Sequence, residues 1–148
     1  ELWALYKVGT AAHVNNVALG RYGRNRSNVW SYAGANSFRR GRDKDLADHP
    51  TVKPTALVVD AILDLTHTGE VVVDGFGGSG TLILAAEKTR RKARVIELEP
   101  KFVDVAIRRW EAMTGELAVL DATGEPFEAV REQRLIPSLP APASGGES

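Results

Sequence analysis

The chain has no cysteine. Disulfides, thiolate zinc sites and a cysteine nucleophile are therefore excluded together, and the composition fits a reducing cytoplasm. No uninterrupted apolar stretch comes near the roughly 18 residues of a membrane span, and no signal peptide is visible. Net charge is missing as well, because 19 Lys and Arg balance 19 Asp and Glu. The distribution is uneven, however. Residues 1–50 hold Lys7, Arg21, Arg24, Arg26, Arg39, Arg40, Arg42 and Lys44 against only Glu1, Asp43, Asp45 and Asp48. The first third is thus basic and the remainder acidic by the same amount. There is no initiating Met; the chain opens at Glu1 inside an apolar run, which reads as a cut or processed polypeptide. What remains is ordinary: 148 residues, 43% apolar and 26% charged, the composition of one globular domain.

Three regions are expected. Residues 1–46 begin with an apolar strand at 2–8. A stretch rich in Gly, Asn, Arg and Ser follows over 9–41, with one strand near 28–32. A loop this long in a compact domain signals function or disorder. Residues 47–122 are regular. Pro54 suits a first helical turn, Leu57, Val58, Ala61, Ile62 and Leu65 repeat on one face, and Gly69 marks the stop. Residues 71–73 read as a buried strand ending at Asp74, 75–80 as a glycine turn, and 81–90 as a helix with Leu82, Ile83, Ala85 and Ala86 inward. A second strand is expected over 93–98. Pro100 starts a helix with Phe102, Val103, Ala106, Ile107, Trp110 and Met113 on one side and Gly115 as its cap. A third strand is expected over 117–120. Residues 123–148 read as a tail, largely disordered, of Pro, Ala, Ser and Gly after Ile136. Strand, glycine turn, helix, strand and helix make half of an open α/β sheet. Such sheets bind ligands beyond the carboxyl ends of their strands.

The glycine turn, Gly75-x-Gly77-x-x-Gly80, is a weak motif alone, but here it follows a strand and opens a helix. Glu97 falls at the end of the next strand, where a carboxylate accepts ribose hydroxyls of an adenosine cofactor. Thr81 follows Gly80 where a triphosphate-binding loop needs Lys. Asp74 stands immediately before the turn, and a carboxylate beside a pyrophosphate is repulsive. The ammonium and sulfonium of S-adenosylmethionine are instead attracted to it. The local charge therefore favours that cofactor over NAD, and an NAD-dependent oxidoreductase is disfavoured.

Asp74-Gly-Phe-Gly-Gly-Ser-Gly-Thr81 resembles the Asp-Pro-Phe-x-Gly-Ser-Gly-Thr motif of DNA amino-methyltransferases, which methylate adenine N6 or cytosine N4. Upstream, His49-Pro-Thr-Val-Lys-Pro54 resembles the second cofactor motif of that family, and the order and spacing of the two are those of its β class. Residues 15–30 resemble members often joined to ParB-like nuclease domains. The resemblance runs from about residue 1 to about residue 120. It implies a Rossmann-like S-adenosylmethionine-dependent methyltransferase sheet. It also implies a cofactor site of His49, Thr51, Lys53, Asp74, Phe76, Gly77, Gly78, Gly80, Thr81 and Glu97, with Lys53 on the cofactor carboxylate. One position departs: Gly75 stands where the family has Pro, which softens the loop.

The family's chemistry also needs an Asp/Asn/Ser-Pro-Pro-Tyr/Phe element that holds the target amine and stacks on the flipped base. The seven prolines include no adjacent pair, so no catalytic residue is assigned. In the β class that element lies upstream of the recognition segment, so the chain is expected to be a carboxyl-terminal part, inactive alone. Arg21, Arg24, Arg26, Arg39, Arg40 and Arg42 fall in the segment that resembles the recognition region, and Arg reads guanine edges and phosphates. Tyr22, Trp30 and Tyr32 either stack on bases or anchor the loop. His13 and His67 have no partners at ligand spacing, so no metal site is expected. The expected partners are double-stranded DNA and an upstream catalytic segment or complementary chain, with a homodimer as an option and no membrane. The location is cytoplasmic, on the nucleoid, in a prokaryote or phage. Adenine N6 is the preferred target by resemblance to the subgroup. The alternative is a non-catalytic DNA-binding or regulatory relic of such an enzyme.

Overall fold

A computed structural model describes residues 9, 10, 12, 14–18, 21, 27, 29–32 and 53–135. The strand expected at 2–8, the loop residues 33–52 and the tail after 135 lie outside them. Six elements follow in order: α1 (Thr55–Leu65), β1 (Val71–Asp74), α2 (Thr81–Thr89), β2 (Lys92–Val95), α3 (Pro100–Thr114) and α4 (Phe127–Leu135). β1 and β2 are parallel, with Val71 opposite Lys92 and Asp74 opposite Val95. α2 is their crossover, and parallel strands need a connection of that kind. The fold is α/β, as its sequence pattern indicates. Among the described residues no helix is long and apolar enough to cross a membrane.

The core is small-residue packing around α2. Ala85 and Ala86 are fully buried, with Ile62 from α1, Leu84 from α2 and Ala106 from α3 beside them. Alanine presents no long side chain, so α1 and α3 approach α2 closely. The inward stripe of α2 is Thr81, Leu84, Ala85, Ala86 and Thr89, not the expected set with Leu82 and Ile83. These two are only half-buried; Leu82 lines the cleft beside the glycine turn instead of the helix contact. In α3, Val103 is likewise exposed and Ala106 is the buried contact.

Helix ends follow the chemistry of unpaired carbonyls. α1 stops at Leu65, before the expected Gly69. Thr66 is extended there, and its hydroxyl donates to the Ile62 carbonyl at 2.6 Å. Asn16 donates its side-chain amide to the Leu63 and Thr66 carbonyls at 2.9 and 2.8 Å. Arg91 donates to the same Thr66 carbonyl at 2.8 Å. Gly69 instead makes the tight turn before β1, with φ +85°. Beside it His67 is exposed, and its amide donates to Glu70, holding that carboxyl below its usual value. Gly115 caps α3 as expected, with φ +77° and its amide on the Glu111 carbonyl.

Three expectations differ. β2 ends at Val95, not at 98, because its partner β1 ends at Asp74 opposite it and the Ile96 carbonyl is taken by the Gly77 amide of the turn; Leu98 is exposed. Residues 117–120 do not join the sheet. Val119 makes one antiparallel bridge to Pro126, across a turn closed by Gly124 at φ +74°. Residues 127–135, expected within the tail, form α4, which the Phe127 amide fixes to the Ala118 carbonyl and Glu128 to Arg108 at 3.3 Å. Its pattern is short and strongly charged, and so gives little periodic signal.

Gly80 carries the heaviest steric constraint. Its φ is +75°, and a Cβ there would lie 2.5 Å from the Ala106 Cβ. Gly80→Ala should therefore destabilise the chain by about 2–4 kcal/mol, the left-handed backbone and the overpacking adding together. Gly75 has open space around it, so Gly75→Ala should cost far less. Denaturant unfolding of the two variants checks the contrast.

Candidate functional site

The glycine turn leaves the carboxyl end of β1 and is tied down residue by residue. Asp74 Oδ1 accepts the Phe76 amide at 2.9 Å. The Gly77 amide donates to the Ile96 carbonyl at 2.9 Å, and the Gly80 amide donates to the Gly77 carbonyl at 2.9 Å. Gly77 has no alternative at its position, since a Cβ would fall 2.3 Å from Val95 Cγ1. Glu97 then binds the turn from the β2 side. Its Oε2 accepts the Gly78 amide at 2.6 Å and its Oε1 the Glu99 amide at 2.9 Å. Both oxygens make charge-assisted bonds to backbone donors, the stronger class of hydrogen bond.

These residues surround a cleft of about 500 Å³, within the range of small-molecule sites. Of the expected cofactor residues, Lys53, Asp74, Phe76, Gly77, Gly78, Thr81 and Glu97 line it. Gly80 does not; it lies behind the turn against Ala106 and lets the turn close on α3. His49 and Thr51 lie outside the described residues. Four lining residues were not singled out for the site: Val58 of α1, Ser79 of the turn, Leu82 of α2 and Phe102 of α3. Val58, Leu82 and Phe102 read in sequence as ordinary apolar helix positions. What distinguishes them is position in or near the first turn of a helix that starts at the sheet's carboxyl end. The cleft thus combines an ammonium, two carboxylates, the backbone of the glycine turn and apolar walls. That donor set fits a nucleoside carrying separate cationic and anionic groups.

Of the arginines expected to face DNA, Arg21 is described and exposed; its amide donates to the Ala18 carbonyl at 3.0 Å. Arg24, Arg26, Arg39, Arg40 and Arg42 lie outside the described residues, as does Tyr22. Tyr32 acts as an anchor, its hydroxyl donating to Asp60 on α1. Trp30 packs edge-on against it at 6.4 Å and donates its indole N–H to the Ser27 carbonyl. Residues 29–32 are not in a strand; these side-chain bonds hold the segment to α1 and to Ser27.

Comparison with known proteins matches residues 11–108 to the family described as DNA methylase. The chain is 32% identical over 99 residues to the Type II methyltransferase M.HpaI of Haemophilus parainfluenzae, covering 67% of this chain and 29% of the relative. Among solved structures it is similar to the M1.HpyAVI–S-adenosylmethionine complex, at 33% identity and a TM-score of 0.38 over 38% of this chain and 30% of that one. It is also similar to the PvuII DNA methyltransferase described as cytosine-N4-specific, at 30% identity and a TM-score of 0.49 over 57% of this chain and 32% of the other. The chain therefore spans about three-tenths of the length of these relatives.

Glu97→Gln should leave either the Gly78 or the Glu99 amide facing an N–H₂ group instead of an oxygen. The expected loss is about 1–3 kcal/mol of stability, with faster amide exchange at Gly78. Denaturant unfolding and hydrogen exchange measure both, and unchanged values would show that these bonds do not hold the turn.

Proposed function

The chain belongs to the DNA methylase family, and we propose that it is the cofactor-binding and recognition portion of an S-adenosylmethionine-dependent DNA amino-methyltransferase acting on adenine N6. The observation that carries the cofactor assignment is the cleft that joins Asp74, Glu97, Lys53 and the glycine turn around one space. When bound, S-adenosylmethionine supplies an electrophilic methyl group on a sulfonium. Glu97 accepts the ribose hydroxyls. Each of its oxygens takes one backbone amide and retains acceptor capacity for a hydroxyl. Asp74 offers negative charge to the cofactor's cationic end, and Lys53 offers positive charge to its carboxylate. Phe76, Val58, Leu82 and Phe102 give apolar walls to the purine. His49 and Thr51, in the motif next to Lys53, line the methionine end in this reading.

The target amine is held by a segment other than this one. Methyl transfer requires the amine in line with the methyl group, and misplacement by about 1 Å can cost a hundredfold in rate. The sequence holds no Pro-Pro pair to build that surface. The open face of the sheet supports a further segment or complementary chain, since Val71 and Val73 are exposed and parallel sheets are ordinarily covered on both faces. Arg21, Arg24, Arg26, Arg39, Arg40 and Arg42 supply phosphate and base contacts to double-stranded DNA. The adenine preference follows the subgroup resemblance.

Titration calorimetry tests the cofactor. S-adenosylmethionine or its demethylated product should bind and NAD should bind poorly. Glu97→Ala should weaken binding about tenfold or more, as expected for a lost charged hydrogen bond. A radiolabelled methyl-transfer assay on mixed-sequence DNA tests the rest. The chain alone should give no transfer, and the chain joined to a family segment bearing the Pro-Pro element should methylate adenine. Turnover by the chain alone would overturn the placement of catalysis, and cytosine N4 as the product would overturn the adenine assignment.

A further inference from the structure

The glycine turn has a support on the side facing away from the cleft. Arg109 of α3 donates from Nη1 to the Ser79 carbonyl at 2.6 Å. That carbonyl belongs to the peptide unit whose other end is the Gly80 amide, which donates to the Gly77 carbonyl. One peptide plane is therefore held at both poles, by a guanidinium at the oxygen and by the turn at the nitrogen. Ser79 is buried at 5% exposure and Arg109 is half-buried, so water competes weakly for this bond. Ala106 lies one helical turn before Arg109, on the same face of α3, and meets Gly80. Steric contact at Gly80 and a charged hydrogen bond at Ser79 thus come from adjacent positions of one helix. Rotating that peptide would break the Gly77–Gly80 closure and displace the Gly78 amide from Glu97.

We infer that Arg109 is a positioning residue for cofactor binding, setting the shape of the turn from behind without touching the ligand. The inference rests on the cofactor reading given above. Its neighbour Arg108 points elsewhere, to Glu128 on α4 at 3.3 Å, and serves as the control. Arg109→Met keeps the length of the stem, which packs against the protein, and removes every donor. Arg109→Lys restores one charged donor.

The experiment measures S-adenosylmethionine affinity by calorimetry in the full 148-residue chain, at a temperature where thermal unfolding shows each variant folded. Amide exchange of residues 77, 78 and 80 is measured in the same samples. Arg109→Met should weaken binding about tenfold, the scale of one charged hydrogen bond, and should speed exchange at the turn while leaving α2 core amides protected. Arg109→Lys should recover part of both, and Arg108→Ala should match the parent chain. A merely structural role would instead speed exchange throughout α2 and α3. Affinity and turn exchange unchanged in Arg109→Met would overturn the inference. A parent chain that binds no cofactor would overturn the cofactor reading, and turn exchange would still report whether Arg109 holds the peptide.

Discussion

Everything at the site depends on two places where the backbone runs so close to its surroundings that no side chain fits. At Gly77 the chain passes Val95, and at Gly80 it passes Ala106. The first contact brings the turn against β2 and the second brings it against α3. Between them Gly78 and Ser79 line the cleft. The small core residues serve the same end, since buried alanines on α2 and α3 let three helices gather around the two strands present among the described residues.

Electrostatics adds a second layer. Glu97 holds the turn through the Gly78 amide and the start of α3 through the Glu99 amide, so the residue that would recognise a sugar also builds the surface that receives it. Asp74 repeats the economy on a smaller scale, holding the Phe76 amide while placing negative charge beside the cleft. A substitution at either position removes charge and shape together, so their effects on binding and on folding are coupled. Arg109, by contrast, meets the turn at the Ser79 carbonyl.

Much of this was legible in sequence because the constraints are local. Glycines at 75, 77 and 80 between a strand and a helix, with Asp74 before them and Glu97 after them, marked the turn and its two carboxylates, and the motif resemblance added Lys53 and Phe76 to the residues that line the cleft. Pro100 and Gly115 marked the ends of α3 for equally local reasons. The apolar wall was not singled out, because Val58, Leu82 and Phe102 look like any other helix face until the helices are set side by side. The end of α1 was misplaced by four residues for a related reason. Thr66 ends it with the help of Asn16 and Arg91, both distant in sequence, whereas Gly69 offered a plausible local signal. The third strand expected at 117–120 had the right residues and no neighbour in the sheet; its partner is Pro126, within the same turn. α4 is short and mostly polar, and its attachment through Phe127 and Glu128 is tertiary.

The capping of α1 by Asn16 has a kinetic meaning. The pairing of Val71 with Lys92 closes a loop of about 20 residues through a helix, and α1, α2 and α3 pack as near neighbours. Asn16 reaches carbonyls 47 and 50 residues away. Closing a loop more than twice as long costs about 0.6–0.9 kcal/mol more in chain entropy. The carbonyls it binds also do not converge until α1 has formed. During synthesis Asn16 leaves the ribosome first, yet it has nothing to grip until the helix some forty residues behind it is made. The early segment thus folds late, onto a template built by the chain that follows it. The cap is a lock applied after the framework has closed.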